Sequence, residues 1–370
     1  MKTIDRRQWL KTVGLSGGFA LLGGLDVLAM QNLPTSIPQE VIAKLNSNEN
    51  PYGPSKLVRE ALTNTFDIAC RYPSIVFREL VAMIAEKEGV SKNHIVVTGG
   101  STEGLRAVGL TYGLKGGEII AADPTFQAML RYAENFGTHV HRVPVDANMG
   151  HDLEAMASRV TNQTSLIFVC NPNNPTGTLI EKNKLRDFCS SMGEKTVVFS
   201  DEAYYDYITE PDYPSMVELV KKGHNVIVSK TFSKVFGMAG LRIGYLVTRP
   251  DIATRLKSNI MANTNILAIE AAKQALKDDA FYKFSLAKNE EAKNIIYKTL
   301  NDLGLEFIKS HTNFVFFKSG RHINSLSQDM QKEKVIIGRP FPPFHNWARI
   351  STGTIEQVKQ FDIALKKVMS

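Results

Sequence analysis

Ser165-Leu166-Ile167-Phe168-Val169-Cys170 carries no charge, and it stops on Asn171-Pro172-Asn173-Asn174-Pro175-Thr176-Gly177, a run of turn-forming residues. Side chains alternate between the two faces of a strand, and here Leu166 and Phe168 on one face are matched by Ile167 and Val169 on the other. A strand that is apolar on both faces belongs in a sheet covered by helices on both sides. Val226-Ile227-Val228 repeats the pattern. Working outward, the other candidate strands are Ile95–Thr98, Glu118–Ala122, Val140–Val143, Thr196–Asp201, Asn225–Ser229 and Ile243–Thr248. The segments between them have helical spacing, as in Leu105, Val108, Gly109 and Tyr112. Strands alternating with helices predict an α/β domain with a large, mostly parallel sheet and helices on both faces, placed over residues 67–262.

The texture changes after about residue 260. A long helical region, Ile266 to Leu303, is followed by short strands at Phe314–Phe317 and Val335–Ile337. Then come the loop Arg339-Pro340-Phe341-Pro342-Pro343, a strand Trp347–Ser351 and a terminal amphipathic helix. This predicts a smaller α+β domain over residues 263–370, joined by an N-terminal arm, residues 30–66. A length of 370 residues suits two domains. The chain has 43% hydrophobic and 22% charged residues, ordinary globular values. No uninterrupted apolar run reaches the roughly 18 residues a membrane span needs. The net charge of +7 is spread without a basic cluster, so nucleic acid is not an expected partner, and the surplus of cations suits small anions.

The amino terminus has a different character. Asp5-Arg6-Arg7-Gln8-Trp9-Leu10-Lys11 precedes a glycine-rich, weakly apolar run from Thr12 to Leu25, and Val27-Leu28-Ala29 offers small residues where a signal peptidase reads. Residues 1–29 read as a twin-arginine signal peptide, which implies export to the periplasm. As a helix the segment would lose about 1 kcal/mol at each of Gly14, Gly17, Gly18, Gly23 and Gly24. The twin-arginine route carries folded proteins, often with a cofactor already inserted. Cys70, Cys170 and Cys189 show no CxxC spacing and read as buried free thiols. His139 and His141 alternate along a strand without an HExxH motif, so no metal is expected.

The chemistry concentrates in Ser229-Lys230-Thr231-Phe232-Ser233-Lys234-Val235-Phe236-Gly237-Met238-Ala239-Gly240-Leu241-Arg242. A lysine beyond the end of a strand, in an apolar setting, can have its pKa lowered and act as an amine nucleophile. Thr231, Ser233 and Arg242 are the donors a phosphate needs. Together they suggest a phosphorylated aldehyde, and pyridoxal 5′-phosphate is such a molecule. Its ring nitrogen works only when protonated, which calls for a buried carboxylate. Asp201 ends an apolar strand, although an aspartate there equally suits the cap of a following helix. The turn Asn171–Gly177 can aim an amide at a ring oxygen. Gly99-Gly100-Ser101-Thr102-Glu103-Gly104 closes a strand and opens a helix, a setting that favours phosphate, but it is neither a Walker A loop nor GxGxxG.

In combination and in this order, these motifs resemble the fold-type I pyridoxal-phosphate aminotransferases, and within them the histidinol-phosphate aminotransferases. The similarity runs from about Leu45 to the C-terminus and includes Asn46-Ser47-Asn48-Glu49-Asn50-Pro51-Tyr52-Gly53 and Arg349-Ile350-Ser351. The resemblance implies that Lys234 takes the cofactor's aldehyde and moves the proton, and that Asp201 pairs with the ring nitrogen. Asn174 and Tyr204 would bond the ring's 3′-oxygen, and Phe126 would stack on the ring. Ser101, Thr102, Thr231, Ser233 and Arg242 would bind the phosphate. Tyr72, in Arg71-Tyr72-Pro73, would reach the neighbouring subunit's phosphate, which implies a homodimer. Arg349 and Arg339 would hold the substrate's anionic end, with Asn50 and Tyr52 also on the substrate side. The implied reaction moves an amino group from an amino-acid-like donor to a 2-oxo acid such as 2-oxoglutarate.

The chain departs from that group in the link between the two arginines. Pro340-Phe341-Pro342-Pro343-Phe344-His345-Asn346-Trp347 is short and aromatic. It would either serve aromatic or apolar amino acids or pack locally. The leader also favours a donor other than a phosphorylated biosynthetic intermediate. The alternatives are the biosynthetic histidinol-phosphate transaminase, or a decarboxylase or β-lyase on the same scaffold. A non-catalytic binding protein would be marked by loss of the lysine or aspartate, and both are present.

Overall fold

The computed structural model describes residues 42–370 apart from residue 115, so the signal-peptide segment and the start of the arm lie outside the described residues. The described strands are β1 (Ala43–Lys44), β2 (Ile95–Thr98), β3 (Glu118–Asp123), β4 (His139–Pro144), β5 (Thr164–Cys170), β6 (Val197–Asp201), β7 (Val226–Thr231), β8 (Gly244–Thr248), β9 (Phe314–Lys318), β10 (Val335–Ile336) and β11 (Trp347–Ser351). Seven of them make one sheet in the order β2-β8-β7-β6-β5-β3-β4. β3 to β7 and β4 pair in parallel, while β8 runs antiparallel to both of its neighbours.

Alternate residues of these strands enter two separate cores. Val96, Ile119, Leu166, Phe168, Phe199 and Ile227 pack on one face with the Ser101–Gly113 and Pro250–Lys257 helices. Val97, Ile120, Ile167, Val169, Val198 and Val228 pack on the other. The apolar side chains on both faces therefore account for a sheet buried on both sides, as the sequence predicts.

The C-terminal part has its own core of Ile296, Val315, Phe317, Leu326, Ile350 and Phe361, and Ala43 and Leu45 belong to it. β1 pairs in parallel with β10, and β9 pairs antiparallel with β11. The expected long helical region from Ile266 to Leu303 consists of two helices, Ile266–Ala275 and Asp279–Asp302. Asp278 ends the continuity, because its side chain accepts from the Phe281 backbone N–H at 3.0 Å and caps the second helix. Cys170 and Cys189 are buried and free, but Cys70 is exposed, against expectation. It follows the short 3₁₀ turn Phe66–Ile68, where no core residue covers it.

Candidate active site

The carboxyl ends of β2, β3, β5, β6 and β7 open on one edge of the sheet, where open α/β folds place ligands. Their following loops line a cavity of about 410 Å³. Ser101, Thr102, Phe126, Asn174, Asp201, Tyr204, Ser233, Lys234, Arg242, Arg339 and Arg349 all face it.

Asp201 is the last residue of β6 and is 2% exposed. It caps no helix: the next element is a 3₁₀ turn at Tyr205–Tyr207, entered through Tyr204 with no side-chain cap. One carboxylate oxygen accepts from the Ala203 N–H at 3.2 Å. Burial pushes Asp201 up to about 7, outweighing that hydrogen bond and the pull of Lys234. A buried carboxylate so poorly matched by donors is a seat for a cation brought by a ligand.

Lys234 stands in the loop after β7. The Ser233 N–H donates to Thr231 Oγ1 at 3.1 Å, and the Gly237 N–H donates to the Lys234 carbonyl at 2.9 Å, which tightens the turn. The segment Asn46–Gly53 docks directly on this loop. A Cβ on Gly237 would lie 2.5 Å from Gly53 Cα, and Gly237 has φ +66, so the two backbones meet only because both residues are glycine. The docked segment brings the Asn48 carbonyl to Lys234 Nζ, which donates to it at 2.9 Å. Burial first, then Arg349, lowers Lys234 to about 8. Such an amine has a neutral fraction near physiological pH far above that of an ordinary lysine and can act as a nucleophile.

Asn48 Nδ2 donates to Tyr204 Oη at 3.0 Å and Asn174 Nδ2 donates to the same oxygen at 3.4 Å. Arg349 Nη1 donates to Asn174 Oδ1 at 2.6 Å. One chain of hydrogen bonds thus links the amide, the phenol and the guanidinium on this side of the cavity. At the opposite end, the Ser101–Gly113 helix starts from Gly100, whose φ is +84. A Cβ there would lie 2.3 Å from Arg242 Nη2, so glycine lets the guanidinium reach the helix N-terminus. The helix N-terminus, Ser101, Thr102, Ser233 and Arg242 make a cup for a phosphate. Four cationic side chains, Lys234, Arg242, Arg339 and Arg349, face the cavity with two carboxylates, Asp201 and Glu49. The chemistry of this donor set fits a phosphorylated aldehyde with a protonatable ring.

Four expected site residues do not line this cavity. Thr231 does not line this cavity: its hydroxyl is used to hold the Ser233 N–H, so it shapes the lysine loop. Asn50 spends its amide on the Val235 carbonyl (2.8 Å) and Ser285 Oγ (2.9 Å). Tyr52 packs edge-on against Phe284 and accepts from the Ile355 N–H at 3.1 Å. Both hold the docked segment in place, and neither lines the cavity. Tyr72 is 88% exposed and does not line its own chain's cavity. Sequence reasoning gave no role to Asn48, although it sits inside the quoted Asn46–Gly53 signature. It also missed Glu49 and Cys170, both on the cavity wall. The aromatic side chains of residues 340–347 do not reach the cavity: Phe341 and Trp347 pack on Phe316, so local packing is what the structure shows.

With this geometry in place, comparison with known proteins is specific. The family model "Aminotransferase class I and II" matches residues 40–364. The chain is 37% identical over 333 residues to a histidinol-phosphate aminotransferase of Moorella thermoacetica, covering 89% of this chain and 86% of that one. A putative histidinol-phosphate aminotransferase from Erwinia carotovora atroseptica superposes with TM-score 0.85 at 30% identity, over 88% of this chain and 95% of that one. The Sinorhizobium meliloti histidinol-phosphate aminotransferase, solved in complex with pyridoxal-5′-phosphate, shares the fold with TM-score 0.82 at 24% identity, over 92% and 96% of the two chains. The chain belongs to the class I and II aminotransferases.

Proposed function

We propose that the chain is a pyridoxal-phosphate-dependent transaminase of the histidinol-phosphate aminotransferase type, whose amino donor carries an anionic end and whose acceptor is a 2-oxo acid such as 2-oxoglutarate. The observation that carries this reading is a pair of groups shifted in opposite directions in one cavity: an amine lowered to about 8 and a carboxylate raised to about 7. Bound pyridoxal phosphate supplies an electron sink for the bond broken at the donor's α-carbon. Lys234 is the group that takes that carbon's proton at Nζ, and its surroundings keep part of it neutral for the task. Asp201 holds a proton on the ring nitrogen, since an anion buried there is stable only beside a cation. Asn174 and Tyr204 orient the ring through its oxygen, and Phe126 lies where it can cover one ring face. Arg349 and Arg339 receive the donor's anion.

Purified protein challenged with a panel of amino donors tests the reading. Glutamate and histidinol phosphate should bleach the bound cofactor's visible absorbance, and a 2-oxo acid should restore it. Bleaching by phenylalanine and tyrosine alone would remove the anionic-end assignment. Carbon dioxide release with the absorbance retained would mean decarboxylation instead.

The same reading includes a homodimer in which Tyr72 reaches the neighbouring site. Its support is the exposure of Tyr72 together with Phe66, Ile68 and Ile75, a set of large apolar side chains that a second copy would cover. Sedimentation of the loaded protein as a monomer would end it. Export rests on the Arg6-Arg7 leader. Replacing both by lysine should leave the protein in the cytoplasmic fraction, and unchanged periplasmic recovery would refute the route.

A further inference from the structure

Arg339 and Arg349 stand at the two ends of one loop. The Gly338 N–H donates to the Arg349 carbonyl at 2.9 Å. A Cβ on Gly338 would lie 2.7 Å from that oxygen, so only glycine allows the two ends to close this tightly. Closure brings two guanidinium groups together, and like charges in a partly desolvated site repel. Between them lies Phe341. The guanidinium carbon of Arg339 is 4.4 Å from its ring centroid, and that of Arg349 is 4.8 Å away. The ring is 4% exposed and is fixed edge-on against Phe316, which itself stacks on Trp347 at 5.0 Å. Phe341 does not line the cavity, while both arginines do.

Arg349 is also incompletely used. Its two terminal nitrogens donate to Asn174 Oδ1 and to the Asn46 carbonyl, but its Nε is buried with no partner. Among the described residues Arg339 donates to the Pro340 carbonyl at 2.9 Å, and it lines the cavity. Two guanidinium groups that line the cavity thus contact one aromatic ring, and Arg349 Nε has no partner among the described residues.

We infer that Phe341 is a positioning residue for substrate specificity: its ring holds Arg339 and Arg349 together against their mutual repulsion, so that both can bind the anionic end of the amino donor. This rests on the transaminase reading above and adds a residue that touches neither substrate nor cofactor. The ring's negative face attracts each guanidinium, and the anion adds the remaining neutralisation when it binds. A leucine of similar bulk would fill the space without the quadrupole.

The test separates the ring's electrons from its volume. Inorganic phosphate is titrated against cofactor-loaded full-length protein, followed by the fluorescence of Trp347, which lies in the same aromatic cluster (the chain's other tryptophan is Trp9). Phe341→Leu should weaken phosphate binding roughly tenfold, the worth of about one desolvated cation–π contact. It should raise KM for glutamate by a similar factor while leaving KM for histidinol, an amino donor that carries no anion, within about twofold. Phe341→Tyr should stay within about twofold of the natural protein in every assay, since it keeps the π face. The inference is overturned if Phe341→Leu binds phosphate normally, if KM for histidinol and for glutamate rise equally, or if Phe341→Tyr fails like Phe341→Leu. Phosphate binding that depends on the ring in a protein that transaminates no donor would sink the proposed function and leave the ring's role standing.

Discussion

Lys234→Ala is expected to remove the visible absorbance of the bound cofactor and to lower the half-reaction with any amino donor by about 10³-fold or more, the scale of losing a nucleophile and a positioned base together. No other amine lines the cavity among the described residues, and the two carboxylates there, Asp201 and Glu49, have no nitrogen with which to take an aldehyde. Lys234→Arg keeps the charge but cannot give up its proton, so it should be equally inactive. An active arginine variant would show that position 234 serves only as a cation. The cofactor-free chain offers a second readout. The attacking form is the neutral amine, and Lys234 is held near 8. Covalent capture of the cofactor should therefore quicken about tenfold per pH unit below pH 8 and level off above it. A rate that keeps climbing to pH 10 would mean that burial and Arg349 do not lower this amine.

Much of this site was legible before any coordinates, and the reason is local. Each of the groups that matter follows an apolar strand directly: Ser101 after β2, Asn174 after β5, Asp201 at the end of β6, Lys234 after β7. Parallel strands put all those ends on one edge, so a one-dimensional pattern carries three-dimensional information. The residues that were misplaced are those whose roles depend on contacts across the chain. Asn50 and Tyr52 have suitable chemistry for a substrate, but partners at Val235, Ser285 and Ile355 occupy them. Thr231 ends β7, and its hydroxyl is taken by the Ser233 N–H in the turn that follows, a local contact that the pattern of residue types does not announce. Asn48 was invisible for the same reason in reverse. Its place at the site comes from the Gly53–Gly237 contact, which joins residues about half the chain apart. The aromatic loop was ambiguous because composition cannot say whether a ring faces a ligand or a neighbouring ring.

Asp201→Asn should separate stability from catalysis. In the loaded enzyme the carboxylate faces a ring nitrogen that must keep its proton. Breaking a buried charged pair costs about 3–5 kcal/mol, and applied to the activation barrier that is roughly 10²- to 10⁴-fold in rate. Asp201→Glu retains the charge and should lose less. In the cofactor-free chain the sign reverses. Burial raises Asp201 to about 7, above the ~3.9 of an unfolded aspartate, so protonation favours the folded form. Its contribution to stability is present below about pH 4 and is lost as the pH rises to about 7. Lys234 is shifted the other way, from about 10.4 to about 8, so its contribution grows only between those two values. The windows do not overlap. Asp201→Asn should therefore flatten the fall in stability of the cofactor-free protein between pH 4 and 7, leave the alkaline rise in place, and raise the unfolding temperature at pH 8 by several degrees. Thermal melts of both proteins across pH, with and without pyridoxal phosphate, measure this directly. An asparagine variant that is destabilised at pH 8 without cofactor, or fully active with it, would mean that this carboxylate is not held at an energetic cost for the ring's proton.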